Sequence, residues 1–431
     1  MGVPGLWKIL QPAAQTCSLT EVATVKGYAQ DHHRSQTMVV GIDASIWMKR
    51  ALAQFHHPQH AQAGENPELC TLFYQLCHLL RHTIMAVFVS DGPQWATYKH
   101  NQLVITQPIW ITQLFQAFIA TFGFHSHTAP GEAKAELAYL NHTKLIDAVL
   151  TDDGDTFIFG ASRVIQNFDI KKDGDTVMIF TEMAIQTKQE IRLMQGGMLL
   201  MALLGGGDYD TVGLSGCGAA TTFKLLLTDI GDSLLHAAQQ LLAQELAGFL
   251  ILWRNELQNE LSTDRSGFLG HCFPGLANSV HNNFPALRVI YQYTKPATSW
   301  SNGGDGPDTS AWLPQQPHLS ELTALCERTF SWSSVIINNS FCKNVWDGCC
   351  VRRLAQITKI LPLLVPSSQQ APRMDVGISA HSSGTQAHNE EPASEDSIPE
   401  QDVLDRMVVD TNAAHTEPAS NPDFIDLTLG D

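Results

Sequence analysis

Cysteine is sparse and unpatterned in this 431-residue chain. Its nine cysteines form no CxxC pair and no regular framework. That excludes a disulfide scaffold and predicts reduced thiols inside a cell. The histidine patches, His32/His33 and His56/His57/His60, read as surface loops, since they complete no zinc ligand set. Long apolar runs are also missing. No stretch approaches the roughly 18 residues of a membrane span, so no membrane partner is expected. MGVPGLWKIL lacks the basic start and apolar run of a secretory signal, and Leu6 stands where a myristoylation signal needs Ser or Thr. A protein of the nucleus or cytosol is expected, with the nucleus following from the function reached below. Positive charge is scarce as well: 26 Lys/Arg face 43 Asp/Glu, a net charge of −17. From Pro366 onward 13 acidic residues face two basic ones. This tail therefore holds −11 of the total, leaving −6 on residues 1–365. Several of those remaining carboxylates belong to a candidate metal site, so a polyanionic substrate is not excluded.

What is present is a repeated pattern of apolar strands stopping at aspartate. Met38–Ile42 runs into Asp43, and Ala86–Val89 runs toward Asp91, Gly92 and Pro93. A third run, AVL, stops at Asp152, Asp153 and Asp155. Helix-patterned segments lie between them, which predicts an α/β fold with a parallel sheet. In such sheets ligands gather beyond the carboxyl ends of the strands. One strand ending in Asp means little; three ending so point to a shared site.

The stretch PGEAKAELAYLNHTKLIDAVLTDDGDTFIF, Pro130–Phe159, organises the chain. Its first part predicts a helix opened by Pro130 and Gly131, with Glu132 in the first turn and Ala133, Leu137 and Leu140 on one face. Its second part crowds carboxylates at a strand end, where they repel one another unless a cation sits among them. Oxygen-only ligands of this kind suit Mg²⁺ or Mn²⁺. Taken alone, the stretch is equally an acidic turn, because Asp-Gly is a common turn dipeptide.

Further along, a helix at Met198–Leu204 runs into three glycines and Asp208, and the turn GLSGCG, Gly213–Gly218, leads into a second helix. Helix–glycine hairpin–helix units hold a phosphate backbone through main-chain N–H groups. Gly216 and Gly218 permit close approach and unusual backbone angles. An ordinary helix–helix connection fits the same residues. Residues 232–295 read as largely helical, Ser301–Pro317 as a loop, and Leu319–Leu361 as helical again with Arg352 and Arg353. The tail from Pro366 is polar and nearly free of aromatics, which predicts disorder.

MGVPGLW, GIDAS, DGP, PGEAKAE, DDGDTFIFG and GGDYDTVGLSGCG, in this order, resemble the XPG/flap-endonuclease superfamily over about Met1–Leu227. WRNELQNELSTDRSGF, YQYTKP and TFSWSSVIINNSF look most like its Holliday-junction-resolvase branch. The resemblance implies a PIN-like α/β nuclease core and a helix–two-turn–helix DNA-binding region. It also implies a Mg²⁺-dependent structure-specific endonuclease that hydrolyses phosphodiester bonds at flaps or four-way junctions in repair or recombination, with branched DNA as partner. Carried over, the metal ligands and catalytic carboxylates are Asp43, Asp91, Glu132, Asp153, Asp155 and Asp208. They would hold two Mg²⁺ ions, or Mn²⁺: Glu132 and Asp91 near both ions, Asp153 and Asp155 on one, Asp43 and Asp208 in support. Gly2, Lys99, Gly216, Gly218 and Lys224 are the expected DNA contacts, with Lys99 on the scissile phosphate. The implied boundaries are 1–125 and 126–204 for the two parts of the nuclease core, 205–300 for the helix–two-turn–helix region, 301–365 for a helical extension and 366–431 for the tail.

Two departures stand out. The family's second Glu in its GEAEAE-like stretch is Lys134 here, a change of two charge units. The ammonium can pair with Glu132 or Asp153, which predicts weaker metal binding and slow or absent cutting. Alternatively Lys134 swings outward, or Glu136 replaces the lost ligand, although Glu136 projects about 200° away on a helix. Basic residues are also thin: between Gly92 and Gly131, Lys99 is the only Lys or Arg, and Ala219 and Ala220 follow the hairpin where the family has Lys. Lys224, a turn on, partly compensates. The second functional reading is therefore a weakened, non-cleaving relative that binds branched DNA or protein. Finally, FIDLTL, Phe424–Leu429, resembles a SUMO-interacting motif that adds a strand to a partner's sheet, with Ile425, Leu427 and Leu429 as anchors.

Overall fold

The computed structural model describes residues 2–29, 37–55, 64–95, 98–99, 102–103, 110–166 and 174–364. The tail from Pro366, with Ile425, Leu427 and Leu429, and the histidine patches lie outside the described residues.

Among the described residues nine strands follow in chain order: β1 Gln15–Ser18, β2 Met38–Asp43, β3 Ile84–Ser90, β4 Tyr98–Lys99, β5 Gln102–Leu103, β6 His125–Thr128, β7 Ala148–Leu150, β8 Arg163–Gln166 and β9 Thr176–Thr181. β4 and β5 pair with each other; the other seven form one sheet in the order β1-β9-β8-β7-β2-β3-β6. The five strands β8, β7, β2, β3 and β6 are parallel, as the alternation of apolar runs and helices predicts. β9 pairs antiparallel with β8, and β1 antiparallel with β9, so the complete sheet is mixed. Only nine residues separate Gln166 from Thr176, fewer than the dozen or so that a parallel crossover needs.

All residues of β2 and β3 are buried, because both sheet faces are covered. Alternate side chains go to opposite layers. Val39, Val87, Val89, Val149 and Val164 face one core, with the helices Ala133–His142 and Gln195–Gly205. Val40, Ile42, Ala86, Phe88 and Leu150 face the other, with the helices Pro67–Leu80 and Thr112–Thr121. Leu322, Leu325, Phe330 and Ile337 join that second core, so helices of the expected 301–365 extension pack into the same body as the sheet.

The topology places the site. From β2 the chain moves outward to β3 and β6, then returns to β7 on β2's other side. The direction of winding reverses between β2 and β7, and ligand crevices open at the carboxyl ends of strands at such a reversal.

Candidate active site

Each carboxylate reaches this edge by a local device. Asp43 ends β2 and caps the helix Ala44–Gln54, its Oδ1 accepting the Ile46 N–H at 2.9 Å. Asp91 follows β3; its N–H donates to Ser45 Oγ at 3.3 Å and its Oδ1 accepts the Ala133 N–H at 2.9 Å. That second bond ties β3 to the start of the next helix, where Glu132 is the cap residue. Asp153 follows β7, and its Oδ1 accepts the Asp155 N–H at 3.0 Å. Asp155 opens the helix Asp155–Ile158. Asp208 arrives from the far side, just after the helix Gln195–Gly205. Asp153, Asp155 and Asp208 present oxygens within 4.8 Å of one another, a set able to hold a metal ion. Asp43, Glu132, Asp153, Asp155 and Asp208 are all buried.

Lys134 enters this group. Its Nζ donates to Asp155 Oδ2 at 2.7 Å and Asp208 Oδ2 at 2.6 Å. Asp153 Oδ2 and Glu132 Oε2 lie at 3.7 and 3.8 Å. The expected partners Glu132 and Asp153 are thus within ion-pair reach, but the hydrogen bonds go to Asp155 and Asp208. The outward swing does not occur, as only 4 % of Lys134 is exposed. Glu136 does not replace the lost ligand either. It points away, accepting from His127 Nε2 at 2.9 Å, Ser299 N at 2.8 Å and Ser299 Oγ at 2.5 Å.

The electrostatics divide the pocket in two. On the Asp43 side, burial pushes the Asp43 carboxyl from 3.8 up to about 7, and Asp91 and Asp153 add to the rise; the Ile46 N–H and Lys49 oppose it. Crowding that forces a carboxyl to hold its proton near neutrality is what a divalent ion would relieve, although among the described residues only Asp153, Asp155 and Asp208 bring their oxygens close enough together for a metal as they stand. On the Asp155 side the balance is already struck. Burial alone would lower the Lys134 pKa, but Asp155, Asp153, Tyr209 and Glu132 outweigh it, so the ammonium stays charged well above its ordinary range. Asp155 shares that one ammonium with its neighbours, and burial still holds its carboxyl above normal, helped by Asp153 and Asp208. An ammonium, with no lone pair, cannot ligate a metal. The set Asp153/Asp155/Asp208 therefore does not fit a divalent ion while Lys134 stays in place.

Two site residues were not singled out from sequence. Tyr209 donates its hydroxyl to Glu132 Oε1 at 2.9 Å. Lys49, half-exposed, places Nζ 3.8 Å from Asp91 Oδ2 and 5.2 Å above the Trp95 ring. Tyr209 follows Asp208 in the GGDYD motif, which was the available signal; Lys49, six residues after Asp43 in the helix that Asp43 caps, carried none.

The N-terminal segment roofs the pocket. Gly2 has φ +84°, and a Cβ there would come within 2.4 Å of Asp153 Oδ1 and Asp155 Oδ1. Val3 N–H donates to Asp155 Oδ1 at 2.8 Å. Trp7 anchors the roof: its Nε1–H donates to the Asp152 carbonyl at 2.9 Å and its ring packs on Phe157 and Phe180. In the glycine hairpin, Gly216 has φ +85° and Gly218 caps the helix Ala219–Leu225 with open space around its Cα. Lys224 Nζ donates to the Leu269 carbonyl at 2.5 Å, an internal use for the expected DNA contact. Lys99 lies in β4, and its side chain is outside the described residues.

Known proteins share this arrangement. The XPG N-terminal domain family matches residues 1–108, and the XPG I-region family matches residues 123–208. The flap endonuclease GEN of Drosophila melanogaster is 26 % identical over 359 residues, covering 75 % of this chain and 44 % of that protein. The human flap endonuclease GEN homolog 1 is 26 % identical over 261 residues, covering 55 % and 26 %. The chain thus spans less than half the length of these curated relatives. A crystal structure of the Holliday junction-resolving enzyme GEN1 with product DNA and Mg²⁺ superposes with a TM-score of 0.65 at 26 % identity, covering 83 % of this chain and 81 % of that one. With its motifs in order, its strand-end carboxylates at one edge and both family regions matched, the chain carries the N-terminal and I-region domains of the XPG/flap-endonuclease superfamily and is similar to that superfamily's Holliday-junction-resolvase branch.

Proposed function

We propose that the protein is a structure-specific DNA endonuclease that hydrolyses phosphodiester bonds at flaps or four-way junctions, using a divalent metal ion. The observation that carries this reading is the convergence of Asp153, Asp155 and Asp208 around Lys134, with Glu132 beside them and Asp43 within electrostatic reach of Asp91 and Asp153, all at or beyond the ends of the central strands or arriving from the far side. A divalent ion held by Asp43, Asp91 and Asp153 would supply Lewis-acid stabilisation of the phosphate and a more acidic water. The protein's own groups do the positioning. Ser45 and the Ala133 N–H orient Asp91, Tyr209 orients Glu132, and the roof of Gly2, Val3 and Trp7 limits solvent over Asp153 and Asp155. Lys49 at the rim joins Lys99 as a candidate for the phosphate, and the hairpin at Gly216–Gly218 offers main-chain N–H groups to duplex DNA. The 1–125, 126–204, 205–300 and 301–365 segments would serve as the two core parts, the DNA clamp and the extension. The GEN1 structures include one with Mg²⁺ and Mn²⁺ ions, which supports either metal here. A nuclear site of action follows from such a role. The tail motif Ile425/Leu427/Leu429 would bind SUMO, and a titration of the tail peptide with SUMO tests this; no binding removes it.

The second reading, a non-cleaving binder of branched DNA, is favoured by Lys134 and by the thin supply of basic residues between Gly92 and Gly131 and after the glycine hairpin. One experiment separates the two. Labelled 5′-flap and four-way-junction DNA is incubated with the protein and Mg²⁺ or Mn²⁺, beside Asp153→Asn. Cutting by the wild type that Asp153→Asn abolishes is expected. Binding without any cutting overturns the endonuclease reading in favour of the second.

A further inference from the structure

Taking the site as the nuclease centre just described, we propose that Lys134 is a built-in cation filling the position otherwise open to a divalent ion at Asp153/Asp155/Asp208, so that this set takes no divalent ion while Lys134 stands in it. The ammonium stands in contact with Asp155 and Asp208 at ion-pair hydrogen-bond distances, with Asp153 and Glu132 just beyond. Three of its four carboxylate neighbours are the three residues whose oxygens converge closely enough for metal binding. Replacing a carboxylate by an ammonium changes the local charge by two, the charge of one divalent ion. The substitution therefore balances the pocket without a second metal.

The position is held rather than sampled. Lys134 is the second residue of the helix Ala133–His142, whose start is pinned by the bond from Ala133 N–H to Asp91. The Phe159 and Tyr209 rings each lie 5.8 Å from its Nζ, and the Gly2–Val3 backbone closes over Asp155. An ion entering this set would have to displace an ammonium that is buried and bonded to two of the three carboxylates. The Asp43 side differs. There Lys49 stays 3.8 Å from Asp91 with half its side chain in solvent.

Binding of Mn²⁺ alone to the full chain tests this without reference to cutting. Free Mn²⁺ is followed by electron paramagnetic resonance for the wild type, Lys134→Glu and Asp43→Asn. The expected saturation is one Mn²⁺ per chain for the wild type, two for Lys134→Glu and none for Asp43→Asn. A wild-type stoichiometry of two overturns the proposal whether or not either variant folds, and so does a wild-type stoichiometry equal to that of a folded Lys134→Glu. Thermal melting gives a second readout. In EDTA, Lys134→Glu should melt lower than wild type, and saturating Mn²⁺ should raise its Tm more than it raises the wild type's; equal Mn²⁺ responses count against the proposal. Cutting is read separately. One bound Mn²⁺ without cleavage of branched DNA keeps Lys134 as the resident cation and sinks the endonuclease reading. Cleavage with two bound ions does the reverse.

Discussion

Asp43→Asn should stabilise the metal-free protein while removing its function. In the native state burial and the neighbouring Asp91 and Asp153 raise the Asp43 pKa from 3.8 to about 7. The unfolded chain releases that proton near 3.8, so from about pH 4 to about pH 7 the native state holds a proton the unfolded state has lost. Stability therefore falls as pH rises through this window, and the full penalty stands above it. A rise of about three on the pKa scale, at about 1.4 kcal/mol each, amounts to about 4 kcal/mol. Asparagine carries no charge, is close in shape and is as good a helix cap, so the bond from Ile46 N–H survives. The variant should gain up to about 4 kcal/mol at pH 8 in EDTA and nothing near pH 4. At about 2 °C or less per kcal/mol for a body of this size, that is a Tm gain of ~5 °C. Urea or thermal unfolding across this pH range, with and without Mn²⁺, measures it. Saturating Mn²⁺ should stabilise the wild type and leave Asp43→Asn unmoved. A variant that is no more stable at pH 8, or whose gain does not change with pH, would refute the claim that Asp43 faces other carboxylates in a buried pocket.

Trp7→Ala removes the anchor of the N-terminal roof and should cost ~3 kcal/mol in urea unfolding, with cutting lost before the fold. Arg352→Met tests the C-terminal packing: Arg352 Nη1 donates to the Phe122 and Gln315 carbonyls at 2.9 and 2.7 Å, and its guanidinium lies 4.3 Å from the Phe124 ring centre. Its loss leaves the buried Phe122 carbonyl without this donor and should cost ~3 kcal/mol in the same assay. Lys224→Met should lower stability while leaving the salt dependence of DNA binding unchanged, because its ammonium is committed to Leu269; a shallower slope of binding against salt would instead place it on a phosphate.

Local chemistry determined much of this protein from the sequence alone. An apolar run cut off by aspartate is a strand whose next residue must leave the core, so Asp43, Asp91 and Asp153 could be placed at one edge once the alternation with helices implied parallel strands. The glycine at position 2 and the glycine hairpin were visible for the same reason, as residues whose value is their lack of a side chain. Tertiary structure decided the rest, because those facts depend on what comes close from elsewhere in the chain. Nothing near Lys134 in sequence says that its ammonium will lie between Asp155 and Asp208, or that Glu136 will be claimed by His127 and Ser299. Nor does the sequence say that the Lys224 ammonium will meet the Leu269 carbonyl. The antiparallel β9 and β1 depend on pairing, which apolar pattern does not encode. Charge is long-ranged and a carboxylate has no preferred partner by sequence, so residue types marked out the cation-binding pocket, while only the fold determined which cation stands in each half of it.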